Sequence, residues 1–248
     1  MSEQDAIAAQ GTEPVTEQSL AEDLRALGVG QEMVVLVHSS LSALGWVCGG
    51  PVAAIRALLQ AVGADGTLVM PAHSGSLSDP SLWRSPPVPA AWWDRIRATM
   101  PAFDPAVTPT RCIGVIPELF RTWPGAVRSD HPSCSFAALG PQAGRIVAEQ
   151  RLEDPMGEGS PLSTIYELGG HVLLLGVGRK VGHRNNTMLH LAERRALGDR
   201  QQTIPAGAPI MVGGVRQWVS YREPDIDEDD FDDAGAAFER QDTTTRTG

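Results

Sequence analysis

No run of about 18 apolar residues occurs anywhere in the 248-residue chain, so no segment is a candidate membrane-spanning helix. The start, Met1 to Glu13, is polar and acidic, without the basic opening and apolar centre of a secretory signal. These two absences predict a cytoplasmic protein with no membrane partner. Cysteine is scarce. Cys48, Cys112 and Cys134 are odd in number, widely spaced and form no C-x-x-C pair. A disulfide framework and a zinc cluster are therefore not expected, and three free thiols are. No other ligand set has metal-site spacing, so no metal is expected. Basic residues are outnumbered, 20 Lys and Arg against 30 Asp and Glu, for a net charge of −10. Such a surface repels nucleic acid and anionic lipid and draws in cations, an amino-sugar or polyamine among them.

Hydrophobic residues make up 42% of the chain, enough at this length for a substantial core. Residues 1–14 lack periodicity and are expected to be disordered, as is a frayed tail over 241–248. Residues 15–240 are expected to form one domain. Thr16 caps a helix with Leu20, Leu24 and Leu27 on one face and Gly28 at its end. Met33 to His38 is a short continuous apolar run that suits a strand buried on both faces. Pro51 opens a second helix, and Gly66 to Pro71 is a second buried strand. Helix, strand, loop, helix, strand predicts an α/β chain, layered α/β/α around a mostly parallel central sheet.

Residues 72–110 differ in character. They hold many prolines and Trp83, Trp92 and Trp93, and predict a long irregular insertion. Further on, Ile116–Thr122 predicts a short helix, Ser135–Leu139 a strand and Pro141–Gln150 a helix. Tyr166–Gly170 predicts a turn and His171–Gly176 a third buried strand. A glycine-bearing loop then leads to Asn186, Thr187 and a helix to about Leu197. Ile210–Val212 and Gln217–Tyr221 flank Gly213-Gly214 as a small antiparallel hairpin.

Three buried strands thus run into polar loops, at His38-Ser39-Ser40, at His73-Ser74 and before Thr187. Ligands in open α/β sheets bind beyond the carboxyl ends of strands. His190 lies early on its helix with Glu193 one turn on, and a carboxylate near a histidine favours one tautomer and a stronger base. On spacing alone an isolated H-x-x-E is more often structural. Gly157-Glu158-Gly159-Ser160-Pro161 is not a nucleophile elbow, since no strand precedes it and proline follows the serine. Arg25-Ala26-Leu27-Gly28-Val29-Gly30 has the R-x-x-G-x-G form used for pyrophosphate. It closes a helix instead of opening one, so it reads as a C-cap.

Taken in order, several blocks resemble the aminoglycoside 3-N-acetyltransferase family. They are Val37 to Ser42 with Gly49-Gly50, Gly66 to Pro71, Phe103-Asp104-Pro105, Ile116-Pro117-Glu118, Pro124 to Ser129, and His131-Pro132 with Ser135 to Ala138. Gly157 to Leu162, Leu173 to Gly178 and Asn186-Thr187 through Glu193 follow. The resemblance spans residues from about 16 to about 226. It implies acetyl transfer from acetyl-CoA to the 3-amino group of a 2-deoxystreptamine aminoglycoside, and so antibiotic resistance. His190 would be the general base, oriented by Asp225, or by Glu223 as the alternative. The stretch His38, Ser39, Ser40, Leu41 and Ser42, with Thr187, would meet coenzyme A. His73, Ser74, Asp79 and Glu193 would face the acceptor.

This chain departs from the family pattern in a longer loop over Arg179–Arg184, in Gln150 where a histidine is common, and in an early C-terminus. Two other readings follow from these departures: an acetyltransferase for another amine, such as an amino-sugar or aminophosphonate, and a coenzyme-A-binding protein with a decayed site.

Overall fold

A computed structural model describes residues 3–9, 13–177, 186–225 and 231–241. Five strands form the central sheet: β1 (Val34–Ser39), β2 (Thr67–Pro71), β3 (Val127–Arg128), β4 (Phe136–Leu139) and β5 (His171–Leu175), in the order β3-β4-β2-β1-β5. β1 lies between β2 and β5 and pairs in parallel with both. β4 runs antiparallel to β2, and β3 antiparallel to β4.

Helices cover both faces, and β1 shows why. Its whole apolar run is buried, with alternate residues on opposite faces. Val35 and Val37 pack beneath α2 (Glu17–Leu27), α3 (Gly50–Val62) and α5 (Val115–Phe120), through Leu24, Ile55, Leu58 and Phe120. Val34 and Leu36 pack beneath α6 (Ala143–Val147), α7 (Pro161–Glu167) and α8 (Met188–Leu197), through Ile146, Leu162, Ile165 and Leu191. The layered α/β/α expectation holds.

Local chemistry fixes the helix ends. Thr16 and Ser19 form a reciprocal capping box at α2. Gly28 closes α2 in the left-handed region, at φ 105°, donating to the carbonyls of Arg25 and Leu24. The R-x-x-G-x-G stretch is thus a C-cap. Ser160 starts α7 with a second capping box, followed by Pro161, and its hydroxyl donates to the Gly157 carbonyl at 2.6 Å. That serine is a helix cap, not a nucleophile.

Four elements differ from the sequence reading. Glu3–Ala9 is helical (α1) where a disordered start was expected, and Ala6 on it is buried. Residues 161–167 form α7 although only a turn is legible over 166–170. The hairpin strands β6 (Thr203–Val212) and β7 (Val215–Pro224) are ten residues each, much longer than expected, and join through Gly213 and Gly214, both at positive φ. Phe231–Gln241 is a helix, α9, in what reads as a polar tail. Residues 242–248, most of the expected frayed tail, lie outside the described residues.

The insertion 72–110 contains a short helix, α4 (Trp93–Thr99), and two 3₁₀ turns. Arg128 of β3 anchors it. Its guanidinium donates to the carbonyls of Ala72 and Thr108 and to the Ser135 hydroxyl, and lies over the Phe103 ring. Burial, and then the charge of Arg121, lower its pKa to about 10, against the opposing pull of Glu118. From the hairpin, Arg216 donates to the carbonyls of Met100 and Arg97, and the Phe103 N–H donates to Pro209. Arg128→Ala strands several buried acceptors and is expected to destabilise the fold by about 2–4 kcal/mol in urea denaturation. Arg128→Lys is expected to recover only part, since an ammonium lacks the planar fork.

Candidate active site

The strand alternation also builds the site. His38 continues the face of Val34 and Leu36, the face that α8 covers. On β2, Val69 lies on that face, so Pro71 and His73 follow it. His73 accordingly meets Phe136 edge-on, with ring centroids 5.4 Å apart. His190 comes down from α8. All three imidazoles line one cavity of about 930 Å³ at the carboxyl end of the parallel strands.

Hydrogen bonds set their states. The backbone N–H of Thr187 donates to His38 Nε2 at 3.3 Å, and the Thr187 hydroxyl lies 3.4 Å from the same atom. An Nε2 that accepts is unprotonated, so the proton of His38 sits on Nδ1. Burial, with His190 nearby, lowers the His38 pKa to about 3. Burial lowers His190 to about 4. For His73, burial and then the neighbouring His38, His190, His131 and Arg128 lower it to about 3. Three neutral imidazoles therefore face the cavity at neutral pH. The His190 ring packs edge-on against Phe231 of α9, with centroids 4.8 Å apart.

Beyond β1 the chain turns sharply. The Ser40 N–H donates to the Leu175 carbonyl at 2.9 Å, and Leu41–Ala43 is a 3₁₀ turn. Gly176 sits against this turn at φ 68°, where a Cβ would lie 2.7 Å from the Ser40 carbonyl oxygen. Ser39, Ser40, Leu41 and Ser42 all line the cavity. The Ser39 hydroxyl is buried there with no hydrogen-bond partner, while those of Ser40 and Ser42 are 3.3 Å apart. Gly50, at the start of α3, lines the same wall and brings the positive end of a 13-residue helix. These features suit a phosphate-bearing ligand with a reactive carbonyl.

Residues 36–248 match the family model described as aminoglycoside 3-N-acetyltransferase. The chain belongs to the aminoglycoside 3-N-acetyltransferase family. The Bacillus subtilis prophage-derived aminoglycoside N(3')-acetyltransferase-like protein YokD is 48% identical over 231 residues, 93% of this chain and 83% of its own. Its crystal structure superposes with a TM-score of 0.89, over 94% of this chain and 84% of that one. Aminoglycoside N(3)-acetyltransferase VIII of Streptomyces fradiae is 42% identical over 86% of this chain and 72% of its own. A binary structure of AAC-IIIb with CoASH is 31% identical, with a TM-score of 0.81 over 95% of this chain and 88% of that one.

Several site residues inferred from the family resemblance lie away from the cavity. Asp225 is exposed and does not line it. Its N–H donates to the Gln202 carbonyl, and its carbonyl accepts from Gln201. Glu223 is half-buried on β7 opposite Ile204, and burial raises its pKa. Glu193 sits one turn past His190 on α8 but is not a lining residue. The segment 226–230 and the loop 178–185, including the departure at Arg179–Arg184, lie outside the described residues. Ser74 is fully buried and donates to the Pro132 carbonyl, so its hydroxyl braces the backbone, and it does not line the cavity. Asp79 caps a 3₁₀ turn through Ser81 and pairs bidentately with Arg97, at 2.8 and 3.1 Å. Burial pushes its pKa up, but the bonds from Arg97 and Ser81 together outweigh that and lower it.

Other cavity residues carry no family motif and were missed: Trp46, Cys112, Cys134 and Met156. Cys112 sits at φ 60°, which non-glycine residues seldom adopt. Gln150, at the position where a histidine is common, ties three segments together. It accepts from Ser129 at 2.6 Å and donates to the carbonyls of Cys134 and Pro155.

The histidines make folding pH-dependent. His38, His73 and His190, with the buried His131 at about 4, have folded pKa values below the ordinary 6.5. The unfolded chain binds more protons below 6.5, so stability is complete above that pH and declines as pH falls toward 4. Between pH 7 and 5 the expected loss is about 1–2 kcal/mol per histidine, read from denaturant midpoints. A midpoint unchanged over that interval contradicts the burial of neutral imidazoles.

Proposed function

We propose that this chain transfers an acetyl group from acetyl-CoA to an amine, with His190 as general base. The acceptor that the family points to is the 3-amino group of a 2-deoxystreptamine aminoglycoside, with antibiotic resistance as the consequence. The observation that carries the reading is a buried, neutral His190 in the same cavity as the Ser39–Ser42 turn and the start of α3.

Neutral His190 takes a proton from the amine as nitrogen attacks the thioester carbonyl carbon. Negative charge then builds on the carbonyl oxygen. The Ser39 hydroxyl and the N–H groups that open the 3₁₀ turn are suited to receive it. Collapse breaks the carbon–sulfur bond, and protonated His190 returns its proton to the departing thiolate. His38 holds the first turn of α8, and thus His190, in place. Coenzyme A fits the wall of Ser39 to Ser42, Thr187 and Gly50, in keeping with the CoASH complex of AAC-IIIb.

A second acceptor class, an amine metabolite other than an aminoglycoside, is favoured by one observation. Among the described residues, no aspartate or glutamate lines this cavity or the one beside it. A polycationic drug ordinarily meets carboxylates.

Thiol release from acetyl-CoA is expected with gentamicin, tobramycin or apramycin, or with a smaller amine from a broad panel. No release with any amine refutes the activity. His190→Ala is expected to lower turnover roughly 10²–10⁴-fold with little change in acetyl-CoA affinity. Near-full activity of His190→Ala across pH removes it from the mechanism.

A further inference from the structure

His131 is fully buried between β3 and β4, lines neither cavity, and has no step in the acetyl transfer described above. Its Nδ1 accepts two backbone N–H groups, from Ser133 at 3.2 Å and from Cys134 at 3.0 Å. A ring nitrogen that accepts carries no proton, so the proton of this imidazole sits on Nε2. Nε2 lies 3.4 Å from the Leu152 carbonyl, 21 residues further along the chain. Burial lowers the His131 pKa to about 4, against the opposing pull of that carbonyl, so the ring is neutral at pH 7.

The turn 131–134 is held from two sides. On one side lies segment 72–74. The Ser74 N–H donates to the Ser133 carbonyl at 3.0 Å, the Ser74 hydroxyl to the Pro132 carbonyl, and the Ala72 N–H to the Ser135 carbonyl at 2.7 Å. These bonds fix the backbone on either side of His73, which lines the main cavity. On the other side lies segment 150–156. Gln150 donates to the carbonyls of Cys134 and Pro155, at 2.9 and 2.8 Å, and His131 reaches Leu152. That segment ends at Met156, which is buried and lines the cavity, as does Cys134. His73, Cys134 and Met156 thus come from three segments that meet at one turn. None of them belongs to the wall of Ser39 to Ser42, Thr187 and Gly50 that suits coenzyme A.

We infer that His131 is a positioning residue for the acceptor. Nδ1 shapes the 131–134 turn and Nε2 ties that turn to Leu152. Together they fix the wall of His73, Cys134 and Met156, against which an amine is presented to His190. The inference rests on amine acetylation at His190. A displacement of about 1 Å at the reacting atoms can cost on the order of 100-fold in rate, so a buried group outside the cavity has leverage on turnover. The side chain needed is an acceptor. An asparagine oxygen accepts from backbone N–H groups a few residues on, as in an Asx turn. Phenylalanine keeps the ring volume but leaves both N–H groups without a partner.

Thiol release is measured with the best acceptor of the amine panel for wild type, His131→Phe and His131→Asn. His131→Phe is expected to lower kcat/KM for the amine about tenfold or more while the KM for acetyl-CoA stays unchanged, and His131→Asn to recover most of the loss. An unchanged kcat/KM in His131→Phe, a matching rise in the KM for acetyl-CoA, or no recovery in His131→Asn overturns the proposal. Should His131→Phe not fold, His131→Ala, which leaves room for water beside the two N–H groups, takes its place. If no amine is turned over, the acetylation reading fails by itself, and the reaction of Cys134 with dithionitrobenzoate decides the role of His131. In a Cys48→Ser, Cys112→Ser background, the half-buried Cys134 is expected to react about tenfold faster in His131→Phe than with His131 or with His131→Asn. Equal rates in all three show that His131 does not hold this wall and refute the inference.

Discussion

The N–H of Thr187 donating to His38 Nε2 is the contact on which the site depends. It joins the end of β1 to the start of α8, 149 residues later in the chain. It satisfies an N–H at a helix start, which has no partner within the helix. It also fixes the proton of His38 on Nδ1 and keeps that ring neutral. His190, three residues beyond Thr187, inherits its position from this joint. Its own N–H donates to the Thr187 carbonyl at 3.2 Å, and the Met188 N–H is held by the Asn186 side chain at 3.1 Å. Burial costs more for a charged imidazole than for a neutral one, so burying the three rings makes them bases rather than cations.

Much of this was legible from sequence where a residue's role depends on its near neighbours. The apolar runs at 33–38, 66–71 and 171–176 gave the three parallel strands, and strand alternation places His38 and His73 on one face. Thr16, Gly28 and Pro51 marked helix ends through local backbone chemistry. What depends on distant partners was not legible. The antiparallel course of β4 follows from its register with β2, which no residue of Phe136–Leu139 declares. The full length of the hairpin arms was not legible, because Pro205, Gly207 and Pro209 interrupt the strand pattern of the first. Asp79 looks like a ligand for an amine until Arg97, 18 residues on, is seen to hold it. Ser74 was assigned to the acceptor side by resemblance, and only the fold shows its hydroxyl bonded 58 residues away. Asp225 was placed by resemblance alone, and the structure leaves it exposed.

The insertion between β2 and α5 is irregular in backbone yet firmly attached. Arg128 binds it from the sheet and Arg216 from the hairpin, both through carbonyl oxygens, so its shape is set by backbone acceptors that many sequences supply. The family relationship speaks for acetyl transfer.

The central claim, that His38 and His190 are neutral because they are buried and joined through the start of α8, is tested most directly by long-range ¹H–¹⁵N correlation NMR of the histidine rings from pH 8 to 4.5. The account predicts an unprotonated Nε2 and a protonated Nδ1 for His38, and no protonation of either ring above about pH 5. Titration of either ring near 6.5, or a proton on His38 Nε2, would contradict it.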